Sequence, residues 1–204
     1  FEARRSGAGQ IVDASMVEGS AALMHMMHAM RAQGFWKDER GVNLLDGAAH
    51  FYDTYETADG KYLSVGSIEP QFYRLLVELA GLDAKEFAPQ LDPAGWPRLK
   101  ARLAEVIRGR TRDEWVAVFE GTDACVAPVL SMTEAPQHPH NRARGSFVEI
   151  AGVSQAAPAP RFSRTEAGVP QAPRPAGSDT VDVLREAGYA EAEIEKLRAA
   201  GVLT

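Results

Sequence analysis

A single cysteine, Cys125, stands in the 204 residues, so the chain cannot close a disulfide within itself. That fits a reducing compartment and points to the cytoplasm. Beside "VAPVL", Cys125 reads as a small buried core residue rather than a nucleophile. Apolar runs are short: none approaches the roughly 20 residues needed to cross a bilayer, and no signal peptide opens the chain, so a soluble protein without a membrane span is expected. Positive charge is not in excess either. The 22 Lys and Arg against 28 Asp and Glu leave a net charge of −6, which excludes the basic footprint of a nucleic-acid partner. The basic residues that cluster over 98–112 alternate with apolar positions at helical spacing and read as a solvated helix face. Metal-ligand spacing is lacking as well. His25 and His28 lie three apart on one helix with no Cys or acid at ligand spacing beside them, so no metal site is expected. Finally, no methionine opens the chain. "FEARRSGAGQ" reads as the tail of a helix running into a Gly-rich turn, as expected of a piece of a longer polypeptide.

What is present is ordinary globular material: 45% apolar and 25% charged residues in a chain long enough for one or two domains and a real core. "GQIVDASM" is a short β-rich run. From Asp13 the pattern turns helical, with Met16, Leu23, Met27 and Met30 recurring at helical spacings and Gly34 as the stop. This helix is apolar on more than one side, which predicts burial between layers or subunits, and its methionines suit adaptable packing.

After the polar hinge "FWKDERG", two β-rich runs, "HFYDTYET" and "KYLSVGSI", flank Ala58-Asp59-Gly60, and the Asp-Gly pair predicts a hairpin. Pro70 suits the first position of a helix, because its missing N–H would go unsatisfied there anyway. The helix is "PQFYRLLVELAGL", with Phe72, Leu75, Leu76 and Leu79 on one face. Further helices are expected at 97–108 and 112–120, the second opened by a Thr111/Glu114 capping box, and "CVAPVL" reads as a strand. Ala, Pro and Gly dominate 151–177, an extended connector. Two short helices around Gly188 close the chain.

Glu69 stands between the apolar "SVGSI" and Pro70. Two readings are open. An acid at a helix start can cap orphan N–H groups and complement the macrodipole. Alternatively, next to an apolar strand, with Tyr52 and Tyr55 on the partner strand and glycines that permit close approach, it can be tuned for proton transfer or hold a cationic partner.

Four stretches, "GQIVDASMVEG", "RGVNLLDGAAHFYDTYETADGKYLSVGSIEPQFY", "FEGTDACVAPVL" and "HPHNRARGSF", together resemble the α-methylacyl-CoA racemases, within the family III CoA-transferase (CaiB/BaiF) superfamily. The likeness runs from Phe1 nearly to the C-terminal helix pair. It implies an α/β fold with an interlocked-dimer architecture: an α+β small domain, plus the helical linker and tail of a Rossmann-like large domain. The domains expected on that basis are 1–41, a strand and linker helix of the large domain; 42–145, the small α+β domain; and 146–204, a connector and C-terminal helices returning to the large domain. The implied reaction inverts the stereocentre beside a thioester carbonyl through an enolate, one group removing the α-proton from one face and another returning it on the other. Glu69 matches the family glutamate that hydrogen-bonds the proton-carrying histidine. Tyr52 matches the tyrosine at the acyl end, and Ile68 accompanies it as a substrate-binding residue. The resemblance implies a homodimer acting on acyl-CoA in lipid metabolism, with no cofactor beyond the CoA of the substrate and no metal.

The family's proton-carrying histidine and aspartate have no counterpart here, and His25, His28, His50, His138 and His140 are not assigned to that role. The 204 residues alone are therefore expected to be inactive. The family motif "LDGGAPFYDTYE" becomes "LDGAAHFYDTYE", with Ala48 and His50 in place of Gly and Pro; His50 reads as a tolerated loop residue. Two alternatives stay open: a CoA-transferase of the same superfamily, working through a carboxylate nucleophile and an anhydride, and a catalytically inactive oligomerisation or binding fragment.

Overall fold

The computed structural model describes residues 1–203. The chain divides into two compact units, Phe1–Val129 and a second from Leu130 onward.

In the first unit, α1 (Glu2–Ser6), α2 (Met16–Leu23) and α3 (His25–Ala32) precede a three-stranded antiparallel sheet in the order β1 (Tyr52–Glu56), β2 (Tyr62–Gly66), β3 (Val126–Val129). Between β2 and β3 lie α4 (Pro70–Leu79), α5 (Trp96–Ile107) and α6 (Arg112–Phe119). Of the expected β-run at 9–16, residues 9–15 form no regular element and Met16 already opens α2. The run has no neighbouring strand to complete a ladder, and β-propensity alone does not hold a strand. The expected single helix from Asp13 is two helices that change over at Met24 (φ −82°, ψ 3°). Neither buries a residue, and Met16, Val17 and Leu23 are exposed.

The hairpin forms where Asp59-Gly60 placed it, Gly60 supplying the positive φ of the turn (70°). Its register pairs Tyr52 with Gly66, Thr54 with Ser64 and Tyr55 with Leu63, and Ser64 then pairs with Ala127 of β3. Alternation sends Tyr55, Leu63 and Val65 inward and leaves Tyr52, Thr54, Ser64 and Ala127 on the outer face. Trp96, Leu99, Leu103 and Ile107 of α5 come round at helical spacing to close the core against the inner face. On α4 the buried residues are Tyr73, Leu76 and Val77, followed by Ala80 at its C-cap. Phe72, Leu75 and Leu79 are only half-buried, so the inward face is turned by about one residue from the one expected. The capping box of α6 is present, with the Glu114 N–H donating to Thr111 Oγ1 and the Thr111 N–H donating to Glu114 Oε2. Arg98, Arg102 and Arg108 are solvated and pair with Glu86, Glu105 and Glu56, whereas Arg112 is buried and donates to the Val129 carbonyl.

The second unit holds α7 (Pro139–Arg144), an antiparallel hairpin of β4 (Phe147–Ile150) and β5 (Val153–Ala156), and the helices α8 (Thr180–Glu186) and α9 (Glu191–Ala199). The hairpin enters what the sequence reading took as connector; from 157 to 175 no regular element forms. Ile194 of α9 is fully buried, and Arg185 of α8 is paired with Glu191. The whole is α+β, with only antiparallel pairing among the described residues. No helix among them is long and apolar enough to cross a membrane.

Candidate active site

The outer face of the three-stranded sheet is the floor of an open groove of about 510 Å³, lined by Leu45, Gly47, Tyr52, Ser64, Gly66 and Cys125 among others. Strand register builds it. Tyr52 lies directly across from Gly66, and a Cβ at Gly66 would stand 4.0 Å from the Tyr52 ring and 3.8 Å from the Cys125 carbonyl. Glycine therefore leaves open the space that a longer side chain would fill. Tyr52 is 37% exposed and shows its ring to the groove. Lys100 of α5 reaches the rim, where its ammonium pairs with Asp53 and donates to the Gly47 carbonyl.

At one end of the sheet the chain turns from β2 into α4, and this turn carries Glu69. The Gly66 N–H donates to the Cys125 carbonyl at 2.9 Å, and the Ser67 hydroxyl donates to the Ala124 carbonyl at 2.5 Å. The Ser67 N–H donates to the Phe51 carbonyl at 3.0 Å. Glu69 takes the N-cap position with extended dihedrals (φ −71°, ψ 143°), and Pro70 follows at the first helical position. Its carbonyl accepts from the N–H groups of Phe72 and Tyr73 at 3.0 and 2.9 Å. Its carboxylate caps nothing. The side chain is exposed and makes no hydrogen bond among the described residues. The purely capping reading of this acid is thus not what the geometry shows.

Cys125 is exposed, with φ 54°, instead of the buried core residue expected. It lies at the entry to β3, where the residue buried against the core is its neighbour Ala124. Local desolvation, then the negative charges of Glu69 and Asp123, hold its thiol above the ordinary thiol pKa. Ile68 is half-buried, packs against the core and does not line the groove.

His50 does lie in the turn before β1, yet it is no merely tolerated residue: it is fully buried in the core, packed edge-on against Phe51, Tyr73 and Phe87 at ring separations of 5.1, 5.5 and 5.7 Å. Its carbonyl accepts from the Tyr55 hydroxyl at 2.5 Å. Among the described residues, no group of three or more His, Cys, Asp or Glu could hold a metal. Sequence reasoning passed over Gln90, Ser67 and Lys100. Their partners lie far along the chain, and no spacing rule reports on contacts at that range.

Residues 1–180 match the family described as CoA-transferase family III. The chain is 48% identical over 202 residues to a mouse protein named alpha-methylacyl-CoA racemase, covering 98% of this chain and 53% of that one. It is 43% identical over 203 residues to the human protein of that name, with the same coverage. It thus spans about half the length of the curated relatives it matches. Among solved structures, a CaiB/BaiF family protein from Brucella suis superposes with a TM-score of 0.67 at 20% identity, covering 91% of this chain and 50% of that one.

Proposed function

Because this chain belongs to the family III CoA-transferases, we propose that it supplies the Glu69 and Tyr52 portion of an α-methylacyl-CoA racemase site. The substrate is a 2-methylacyl-CoA thioester, and the reaction needs no cofactor beyond the CoA it carries. The thioester carbonyl acidifies the proton on C2. A base removes it to give an enolate, and an acid on the opposite face returns a proton to the same carbon, so the stereocentre inverts with no net change in composition. In this reading the exposed, uncapped carboxylate of Glu69 orients and stabilises the proton-carrying imidazolium of the family. Tyr52 and the glycine gap at Gly66 form the wall against which the acyl group lies, with Ile68 supporting the turn behind it. A homodimer would cover the apolar side chains that α2 and α3 leave in solvent. The observation that carries the proposal is the 48% identity to the mouse racemase over nearly the whole chain.

The test is deuterium uptake at C2 from each enantiomer of a 2-methylacyl-CoA in heavy water. It is run on the chain alone and on a chimera in which the chain replaces the matching stretch of the mouse racemase. The chimera should exchange the proton and bring both enantiomers to one mixture, and the chain alone should do neither. A folded chimera without exchange would overturn the proposal. CoA transfer to a free carboxylic acid in the absence of exchange would place the chain among the transferases.

A further inference from the structure

Glu69 has an exposed side chain with no hydrogen bond of its own among the described residues, so no side-chain contact holds it and its placement starts from the backbone of the preceding turn. That turn is tied to the sheet by the Ser67 hydroxyl and N–H, while its two carbonyls accept from one further side chain. Gln90, in the segment between α4 and α5 and 22 residues along the chain from Ile68, is only 9% exposed. Its amide nitrogen donates to the Ile68 carbonyl at 2.7 Å and to the Ser67 carbonyl at 3.2 Å. Its own backbone carbonyl accepts from the Trp96 indole N–H at 2.8 Å, which anchors the brace to α5. The two carbonyls belong to the two residues immediately before Glu69, at the point where the chain leaves the sheet. Without the amide, both lose a donor in a place that water does not freely reach.

We propose that Gln90 is a positioning residue for Glu69: its amide fixes the Ser67–Ile68 turn and thereby the backbone from which the carboxylate projects. The residue type fits the task. Two carbonyls require two N–H donors on one planar group, which a glutamine amide provides. Leucine would fill the same space without a donor, and glutamate would turn lone pairs toward both carbonyls. The role of Glu69 in turnover belongs to the function proposed above; the placement of Glu69 by Gln90 is independent of it.

Cys125 is the sole cysteine; desolvation raises its thiol pKa first, and the charges of Glu69 and Asp123 add to it, so with Asp123 unchanged its titration responds to a displacement of the Glu69 carboxylate. The rate of thiol alkylation by iodoacetamide as a function of pH is to be measured on the 204-residue chain. Glu69→Gln should move the titration midpoint down. Gln90→Leu should move it in the same direction, and the double variant should go no further than Glu69→Gln alone, since no charge remains to displace. Gln90→Asn keeps the amide but shortens its reach, and it should give an intermediate shift; it also serves if Gln90→Leu does not fold. A midpoint unchanged in the Gln90 variants, or shifts that simply add in the double variant, would overturn the proposal. In the racemase chimera, Gln90→Leu should lower kcat for exchange roughly ten- to hundredfold with KM little changed, as expected for a misplaced site group. If Glu69→Gln leaves exchange untouched while the thiol pattern holds, the functional reading of Glu69 fails and the positioning by Gln90 stands.

Discussion

His50 and Tyr73 share a 2.7 Å hydrogen bond inside the core, and the Tyr73 hydroxyl gives its own proton to the Phe87 carbonyl at 2.8 Å. With the phenol committed as donor, His50 Nε2 must carry the proton and donate to Tyr73. The other nitrogen, Nδ1, is buried without a partner among the described residues. The ring is thus held as one neutral tautomer, and burial lowers its pKa from 6.5 to about 4.

Stability should therefore depend on pH in that window. The folded pKa lies below the unfolded one, so the unfolded chain takes up the proton first. The contribution of the neutral ring is full above pH 6.5 and is lost as pH falls toward about 4. The loss amounts to on the order of 3 kcal/mol. Urea unfolding from pH 7 to pH 4 should show this decline, and His50→Gln, which keeps a donor for Tyr73, should flatten it. An equal slope in both proteins would mean that other groups control acid stability.

For Glu69→Gln the expected stability change is within about 0.5 kcal/mol, because the carboxylate caps no helical N–H. Exchange in the racemase chimera should fall on the order of 10²-fold, within the range for acid–base assistance. Thermal melts and C2 deuteration measured side by side separate the two effects. A lowered melting point with unchanged exchange would make this acid a structural residue.

Asn43 should matter more to stability than its loop position suggests. It is buried, and its side chain accepts from the Lys37 N–H at 2.7 Å while donating to the Lys37 and Glu39 carbonyls, both at 3.1 Å, and to Asp46 at 2.8 Å. Asn43→Ala orphans these groups and should cost about 2–3 kcal/mol. The midpoint of denaturant unfolding is the measurement, and a shift equivalent to under about 0.5 kcal/mol would show that water replaces the network.

Amide hydrogen exchange should be slowest in the sheet and in α4, α5 and α6, where buried side chains share one core. It should be fastest across 157–175, which has no regular structure. Equal protection in the two regions would contradict this distribution of packing.

The elements legible in the residues themselves are those whose signals act over a few positions. Asp59-Gly60 makes the hairpin because glycine takes the positive φ that the turn demands. Pro70 starts α4 and Thr111 with Glu114 starts α6, because helix ends are satisfied locally. The family likeness was legible too, since it rests on ordered motifs. Burial is a different matter. "LDGAAHF" cannot say that His50 is enclosed by Phe51, Tyr73 and Phe87, the last two brought from beyond the hairpin. "DACV" cannot say which of Ala124 and Cys125 faces the core; that depends on where β3 joins β2. "GQIVDASM" has the composition of a strand but no partner strand, and a ladder needs both sides. Gln90 is mute in the sequence because a side-chain amide acquires its role only when two distant carbonyls are folded onto it. Local chemistry determined the turns, caps and periodicities of this chain, and tertiary packing alone decided which polar groups were closed off from water and which, like Glu69, were left in solvent.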